Sequence, residues 1–347
     1  VLQNRINLTA DTYRRLSDGQ IMKATVPLET GEGSITTNIG AVRNTGIELG
    51  LNLGVIRNKN FTWDVNLAFA RNWSKITELP NGDDVSNNWF IGERLNVLRD
   101  YTSAGIITTD GITMRTKDGD RHYTLQEVYD TFGPGGQGLK WYEGQMAVND
   151  WNNDGKINDE DKQIFGCTDP KWTGSLSSTM TYKGFDFSFM LYTKQGQWSR
   201  SYFHEQYMNY GDRGRQKVNF DYYIPAGTPV LDKNTGDVTY LSEAHIGKYP
   251  YPNNTEKTGG GYFSSSSAAV RYHKTSFVKV KNITLGYTFP KAWLSKIAVK
   301  HLRLYVNVIN PFCFTDYEGF DPEWASANLT NGGPASVTYQ IGANIKF

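Results

Sequence analysis

Apolar and polar residues alternate with a period of two in several long stretches of the chain. In residues 337–347 every second residue, from Val337 to Phe347, is apolar or aromatic, and the residues between them are polar or glycine. Such alternation is typical of a β-strand whose two faces meet different environments. Comparable stretches occur in pairs joined by short turns, at 47–55 with 61–69, 176–182 with 185–191, and 283–289 with 302–308.

The connections between these predicted strands differ in length at their two ends. Tight turns lie at one end, and long connections of about 17–33, 80–169, 200–275 and 311–334 lie at the other. A soluble sandwich or propeller also alternates, but its strands are usually about five or six residues long. The pattern predicts an all-β fold, an antiparallel transmembrane β-barrel segment with short periplasmic turns and long extracellular loops.

The direction of the strands limits their number. If the last strand ends in the periplasm, the two halves of the chain agree only when residues 80–169 contain zero or two crossings, which gives eight or ten strands. Residues 94–109 could supply part of one such pair. Eight strands could close alone around a lumen filled with side chains, yet the polar faces carry small neutral residues. We therefore expect the wall of a wider barrel.

Composition changes this picture little. The chain has 21 Tyr, 17 Phe and 9 Trp, a mean hydropathy of −0.53 and a net charge of +1, so nothing indicates a nucleic-acid partner. No run of eighteen apolar residues predicts a spanning helix, whereas barrel strands look polar on average. No Ser/His/Asp order or carboxylate pair in a recognisable setting predicts catalysis, so we expect no enzyme. Five aromatic residues near predicted strand ends fit either an interfacial girdle or ordinary β-propensity: Trp73, Trp172, Tyr182, Tyr192 and Trp198.

Six stretches of the sequence resemble the C-terminal part of the barrel of SusC-like TonB-dependent outer-membrane transporters, the SusC/RagA family. They occur in the order of the family and span nearly the whole chain. They are NTGIELGLNLG (44–54), YKGFDFSF (182–189), VKVKNITLGYTFP (278–290), LRLYVNVINPF (302–312), YEGFDPE (317–323) and YQIGANIKF (339–347).

The resemblance implies that residues 1–347 are the C-terminal portion of a 22-stranded barrel in the bacterial outer membrane, with the plug domain, the TonB box and the first half of the barrel outside this sequence. It implies TonB-dependent import of a large nutrient, most often an oligosaccharide and sometimes a peptide. The implied partners are TonB, a SusD-like surface lipoprotein, the remainder of the chain and membrane lipid, and a dimer of transporter–lipoprotein pairs is compatible with it. The residues implied as a barrel-assembly signal are Tyr339, Ile341, Ile345 and Phe347.

Two other functions stay open at this point. One is a non-transporting barrel that uses the same loops for surface binding or adhesion. The other is a secreted soluble β protein. A plug domain and a TonB box upstream of Val1 would favour import, and their absence would favour the adhesion barrel.

One loop, NDWNNDGKINDEDKQIFG at 149–166, has the spacing of an EF-hand-like calcium loop. Gly155 would permit the sharp turn, and Asp161 stands where a longer Glu usually closes such loops. The alternative is a solvated turn that hydrogen-bonds itself. The predicted ligands of a structural Ca²⁺ are Asp150, Asn152, Asp154, Lys156 through its carbonyl, and Asp161.

A second loop, QWSRSYFHEQYMNYGDRGR at 197–215, combines aromatic and charged residues. Aromatic faces that stack on sugar rings, with charged groups that hold hydroxyls or carboxylates, would form a suitable binding surface. The alternative is that the loop packs on itself or on a partner. The candidate substrate residues are Trp198, Tyr202, Tyr207, Tyr210 and Arg213.

Overall fold

Eight long strands form one antiparallel meander in a computed structural model that describes residues 5–25, 34–133, 138–207, 221–232, 234–251, 268–295, 298–326 and 335–347. Each strand pairs with the strands before and after it in this series. The all-β prediction is confirmed, and of the two predicted strand numbers the structure has eight. The strands are β1 (Ile6–Thr25), β2 (Ser34–Arg57), β3 (Phe61–Glu78), β4 (Trp172–Tyr182), β5 (Phe185–Gln195), β6 (Phe277–Thr288), β7 (His301–Phe314) and β8 (Thr338–Lys346).

The register of the strands places the apolar residues on one face of the sheet. A row of directly paired leucines crosses the first five strands, from Leu8 through Leu51, Leu67 and Leu176 to Leu191. None of these five side chains is buried, and Leu8 and Leu67 are 64% and 37% exposed. An apolar face of this extent is unfavourable in water. We call it the outer face.

The opposite, inner face is polar and hydrogen-bonded across the strands. Thr284 donates to the side chain of Asn307 at 2.9 Å, and Asn307 donates in turn to Gln340 at 3.0 Å. Arg303 on β7 holds the carboxylate of Asp186 on β5, with Nε to Oδ1 at 2.8 Å. Polar ladders of this kind suit a water-filled interior.

Aromatic residues mark both ends of the apolar band. At the turn end Phe61 contacts Tyr182 with ring centroids 6.5 Å apart, and Phe185 contacts Tyr287 at 4.6 Å. At the loop end Trp172 packs on Phe69 at 5.8 Å. The eleven residues from Trp172 to Tyr182 span ten steps, or roughly 33 Å of strand. At an inclination of about 40° this is about 25 Å along the barrel axis, which is the height of the apolar band of outer-membrane barrels.

Two of the five aromatic residues considered for this girdle lie elsewhere. Tyr192 is on the inner face, where its ring lies 5.3 Å from the amine of Lys281. Trp198 belongs to a loop strand beyond the sheet. The girdle prediction was therefore wrong for these two residues, because alternation alone does not show where a strand leaves the barrel.

Short turns join the strands at one end, as predicted. Between β2 and β3 the carboxamide of Asn58 accepts from the backbone N–H groups of Asn60 and Phe61 at 3.0 and 2.8 Å. Between β4 and β5 both Lys183 and Gly184 have positive φ, which gives a tight hairpin turn compatible with the twist of the strands. The turn between β6 and β7 contains the short helix Lys291–Leu294.

The predicted loop at 17–33 is shorter in the structure. Strand β1 continues past a bulge at Gly19, which has φ of 58°, and pairs with β2 as far as Thr25 opposite Ser34. Polar residues there made the segment resemble a loop, whereas backbone pairing continues beyond the apolar band.

The connection between β3 and β4 contributes no strand to the meander within its described residues. Its strands are Val97–Asp100 with Gln163–Cys167, Ser103–Ile106 with Met146–Val148, and the hairpin Ile112–Thr116 with Gly119–Tyr123. A barrel strand needs about 9–11 residues to cross the membrane, and these have three to five. The suggestion that residues 94–109 supply part of a crossing pair was therefore wrong.

This connection has a hydrophobic core of its own. Helix α1 (Leu125–Phe132) begins with a capping box between Thr124 and Glu127 and buries Val128 and Phe132 against the hairpin. The core makes the connection a packed subdomain. Two 3₁₀ turns, Leu139–Trp141 and Asp159–Asp161, complete it.

The other two long connections contain short elements. The strand Trp198–Arg200 pairs with Tyr272–Lys274, and Pro229–Leu231 pairs with Val238–Tyr240. The remaining elements are the helices Tyr202–Tyr207 and Ala268–Arg271 and the 3₁₀ turn Pro322–Trp324. In the part of the chain that the structure describes, every helix is too short or too polar to span a membrane.

Candidate functional site

The three longest connections meet around a cavity of about 460 Å³. Connection β3–β4 supplies Tyr101 and Phe165, connection β5–β6 supplies Trp198, and connection β7–β8 supplies Tyr317. The size is within the usual range for small-ligand sites. The charged residues in its lining are Lys248, Lys274, Asp316 and Glu318.

One wall of this cavity is aromatic. The ring of Phe165 lies edge-on to Trp198 with centroids 5.5 Å apart and 5.4 Å from Tyr272. Gly166 permits the close approach of Trp198, because a Cβ at this position would overlap the indole. The amine of Lys274 lies 5.6 Å from the Trp198 ring centroid. The wall offers flat apolar faces next to a positive charge.

A second wall of the cavity is polar. Lys248 forms an ion pair with Glu318, Nζ to Oε1 at 2.9 Å, and the hydroxyl of Tyr249 donates to the other carboxylate oxygen at 2.5 Å. Burial alone would raise the pKa of Glu318, but the hydrogen bonds from Lys248 and Tyr249 hold it below its ordinary value. Burial and the hydrogen bond to Glu318 raise the pKa of Tyr249, so this hydroxyl stays protonated.

A buried hydrogen-bonded chain supports the polar wall. Ser201 lies 2.6 Å from both Nδ1 of His204 and the hydroxyl of Tyr317, and Nε2 of His204 lies 3.2 Å from the hydroxyl of Tyr249. Because the Tyr249 hydroxyl donates its proton to Glu318, its oxygen accepts from Nε2 of His204. Nδ1 of His204 then accepts from the Ser201 hydroxyl, and the Ser201 oxygen accepts from the Tyr317 hydroxyl. One direction of donation thus satisfies every member.

Burial, assisted by the neighbouring His273, lowers the pKa of His204 to about 3. The two imidazoles stack with centroids 3.6 Å apart, so a charge on one would be close to the other. Ser201 and His204 are both 0% exposed. Although their contact resembles a nucleophile and its base, no substrate can reach this hydroxyl, and the pair serves to join loops.

The structure separates the predicted substrate residues. Trp198 lines the cavity. Tyr202 is outside its lining, and the guanidinium of Arg200 lies 5.2 Å from its ring centroid. The backbone of Tyr207 ends a short helix, but its side chain lies outside the described residues, as do Tyr210 and Arg213.

Sequence reasoning missed most of the cavity. Phe165 and Tyr272 stand 33 and 74 residues from Trp198 along the chain, and no local pattern links them. Tyr317 and Glu318 did carry a signal, since they begin the YEGFDPE stretch on which the resemblance depends. That signal indicated a family and gave no location in a cavity.

The acidic loop curls around its own carboxylates. Asp150 accepts from the backbone N–H of Gly155 at 2.9 Å, and Asp161 accepts from those of Asn152 and Asn158 at 3.3 and 2.8 Å. Asp150 and Asp161 are both 0% exposed. Burial raises the pKa of Asp161 above its ordinary value, and the nearby carboxylate of Asp150 adds to the rise. The hydrogen bonds from backbone N–H groups act in the opposite direction and do not cancel it.

This loop fits a calcium ion in part. Its buried oxygen donors suit a hard cation, and Asp150 and Asp161 form no ion pair with Lys or Arg within the described residues. Asp154, by contrast, accepts from the N–H of Lys156 at 2.8 Å. No three His, Cys, Asp or Glu side chains of the described chain converge as metal ligands.

The residues proposed as an assembly signal lie along β8. Tyr339, Ile341 and Ile345 alternate on the outer face and are 76%, 86% and 53% exposed, and Phe347 is 76% exposed. Strand β8 pairs with β7 from Thr338 opposite Ile309 to Lys346 opposite His301.

The chain is similar in sequence to several TonB-dependent receptors. The chain matches no family profile. It is 27% identical over its whole length to the TonB-dependent receptor P39 of Formosa agariphila, 28% identical to the TonB-dependent receptor SusC of Bacteroides thetaiotaomicron, and 25% identical to the TonB-dependent receptor P3 of Formosa agariphila. It covers 34%, 30% and 33% of these proteins, so the chain spans about a third of the length of the curated relatives it matches.

Two solved structures share the fold. A structure of the RagAB peptide transporter matches 99% of the chain with a TM-score of 0.63 and 18% identity, covering 34% of the solved chain. A closed-closed structure of the RagAB peptide importer matches 99% with a TM-score of 0.64 and 20% identity, again covering 34% of the solved chain.

The apolar outer face, the aromatic bands and these matches define a bacterial outer-membrane β-barrel, in which the short turns are periplasmic and the long connections are extracellular. Its relatives are receptors and not enzymes, as expected. The resemblance inferred from six sequence stretches is confirmed: the chain is a stretch of barrel similar to SusC-like TonB-dependent receptors.

Proposed function

We propose that the chain forms part of the wall and of the extracellular binding surface of a TonB-dependent importer for a large nutrient. The observation that carries this proposal is the cavity where three extracellular loops meet, with Phe165, Trp198 and Tyr272 on one wall and Lys248 with Glu318 on the other. Import requires the remainder of the receptor with its plug, TonB, and a SusD-like surface lipoprotein that covers the mouth. We also propose that two receptor–lipoprotein pairs can associate as a dimer.

We favour an oligosaccharide as the substrate, because aromatic faces stack on sugar rings and the neighbouring charged groups can hold hydroxyls. A peptide is the second candidate. It is favoured by the presence of both charge signs in the cavity lining, which suits a chain with an amine and a carboxylate, and by the fold shared with the RagAB peptide importer.

Uptake by the full-length receptor tests the proposal. Cells that contain the receptor and its lipoprotein partner should import either labelled oligosaccharides or labelled peptides, and deletion of the TonB box should abolish uptake. Trp198→Ala with Tyr272→Ala should reduce import at least tenfold by removing the aromatic wall. Tyr240→Ala, an exposed aromatic outside the cavity lining, is the matched control and should be silent.

Surface binding without TonB-dependent uptake would overturn import in favour of the adhesion barrel. Uptake that the double variant leaves unchanged would place the binding surface elsewhere. Dispersion of the receptor without detergent would contradict the membrane placement itself.

We also propose that Ca²⁺ binds the acidic loop as a structural clip, with ligands from Asp150, Asn152, Asp154, the carbonyl of Lys156, and Asp161. The buried carboxylates of Asp150 and Asp161 support this proposal. Calorimetric titration of the full-length receptor with CaCl₂ should show one site that Asp150→Asn removes and the exposed-hairpin control Asp237→Asn retains. If the unmodified receptor, first stripped of bound metal with a chelator, releases or absorbs no heat when CaCl₂ is added, the calcium proposal is refuted.

We propose that Tyr339, Ile341 and Ile345 on the outer face of β8, together with Phe347 directly after it, direct barrel assembly. Phe347→Ser should lower the amount of folded receptor in the outer membrane, measured by heat-modifiable migration on gels, while Lys346→Ser should leave it unchanged. Equal assembly of both variants would refute this role.

A further inference from the structure

Four basic residues share the outer face near the extracellular ends of the first three strands. They are Arg14 on β1, Arg43 on β2, and Arg71 and Lys75 on β3. Because side chains alternate along a strand, these four lie on the same face as the leucine row. We call them the outer basic cluster.

The register places the cluster close together. Arg43 is directly opposite Lys75, and Arg14 is opposite Thr45, whose other neighbour is Trp73. Directly opposed residues have Cβ atoms about 4.5–5.5 Å apart, and diagonal neighbours about 7–8 Å. Four cations thus occupy an area that one multiply charged headgroup could cover.

The cluster begins at the level of the lipid headgroup region and extends slightly beyond it on the loop side, within reach of the long side chains of Arg43 and Lys75. Arg71 is level with the girdle residue Trp172, since the next residue on β4, Thr173, pairs with Ala70. Lys75 lies four residues further toward the loops, roughly 13 Å along the strand and about 10 Å along the barrel axis. The polar layer on each side of a bilayer is about 5–8 Å thick.

No carboxylate of the described residues pairs with these charges. None of the four residues forms an ion pair within the part of the chain that the structure describes. The guanidinium of Arg71 instead lies 4.5 Å from the Trp73 ring centroid. Like charges directly opposite each other, as Arg43 and Lys75 are, destabilise a sheet. An anion between them would remove this cost.

We propose that the outer basic cluster binds the phosphate groups of a phosphorylated glycolipid in the outer leaflet of the membrane. Guanidinium groups match phosphate oxygens with two parallel hydrogen bonds. Leu16, 58% exposed and directly opposite Arg43, offers an apolar contact beside the charges. The inference depends on the outer-membrane placement and does not depend on what the receptor imports.

The test measures lipid binding to the full-length receptor in nanodiscs, with bisphosphorylated lipid A as the probe. Each basic residue near a membrane surface strengthens anionic lipid binding by about fivefold. Arg43→Gln with Lys75→Gln should therefore weaken lipid A binding by about 30-fold, counted as bound lipid by native mass spectrometry. Lipid A stripped of both phosphates should bind the unmodified receptor as weakly.

Arg14→Gln and Arg15→Gln form a matched pair, because these neighbours carry the same charge on opposite faces of β1. Only Arg14→Gln should weaken lipid A binding, by about fivefold. This pair of single variants tests the proposal even if the double variant fails to fold. The proposal is overturned if both single variants bind alike, if dephosphorylated lipid A binds equally well, or if inorganic phosphate binds as tightly as lipid A. Loss of a receptor dimer with unchanged lipid binding would assign the surface to a protein contact instead.

Discussion

Replacement of Lys279 by Met should release the extracellular loop after β7 from the barrel wall. Lys279 is on the inner side of β6 and 3% exposed, and its amine bonds Asp321 at 2.6 Å and Glu323 at 2.7 Å. Asp321 is itself buried, with 7% of its side chain exposed. This loop also carries Tyr317 and Glu318, so the same ion pair positions one wall of the cavity.

The free-energy cost of Lys279→Met follows from the burial of the Asp321 carboxylate, which loses its partner. Removal of one member of a buried ion pair typically costs about 3–5 kcal/mol, because the remaining charge stays desolvated. Lys281→Met is the matched control. Lys281 is 30% exposed and bonds Glu323 at 2.7 Å, and a pair of this kind is worth about 0–1 kcal/mol.

Hydrogen exchange of the full-length receptor measures this release locally. Amides of residues 315–326 should exchange about 100- to several-thousand-fold faster in Lys279→Met, whereas the strands should stay protected. Adding Asp321→Asn should restore much of the protection, because it removes the buried charge that Lys279→Met leaves unpaired. The carboxamide oxygen of the new side chain can still accept from the backbone N–H of Glu323, which lies 2.9 Å from Oδ1 of Asp321 in the unmodified protein. Equal exchange in Lys279→Met and Lys281→Met would refute the reasoning.

Two further predictions concern the loops. Gly111→Ala should unfold the subdomain between β3 and β4, because a Cβ there overlaps the backbone carbonyl of Tyr123 in addition to straining a positive φ. Gly119→Ala is strained by its positive φ alone, since the space around it is open, and should lower the melting temperature of the subdomain less. Equal melting curves of the two variants would contradict this. His204 has its folded pKa lowered to about 3 from 6.5, so its contribution to loop docking is complete above pH 6.5 and is lost as pH falls toward 3. Limited proteolysis should therefore speed up in that window, and His204→Gln should flatten the pH dependence; an unchanged slope would exclude His204 as its source.

The wall of the barrel was predictable because its pattern is local. The side chains of a strand between lipid and water alternate between apolar and polar with a period of two residues. The face of Leu51, Leu67 and Leu176 can therefore be assigned from the sequence of each strand alone, before its neighbouring strand is known. The strands that continue beyond the membrane were less visible. Around Gly19 pairing persists where the apolar pattern has ended, because backbone hydrogen bonds do not require apolar side chains.

The cavity could not be predicted, because it depends on which loops meet. Phe165, Trp198 and Tyr317 come from three connections and are brought together by loop packing. Tyr202 has a suitable side chain and is close to Trp198 along the chain, yet it lies outside the lining of this cavity. Ser201 and Tyr317, which contact each other in the loops, are 116 residues apart, and composition says nothing about such a pair.

The central claim is that alternate residues of the strands meet lipid and water, and adjacent residues of β3 test it directly. Leu67 is on the outer face and Asn66 on the inner face. Single nitroxide labels at these two positions, in a full-length receptor whose other cysteines are replaced, report collision with oxygen and with a water-soluble nickel complex. We expect the label at position 67 to collide mainly with oxygen and the label at position 66 to collide mainly with the nickel complex. Equal access of the nickel complex to both labels would contradict it.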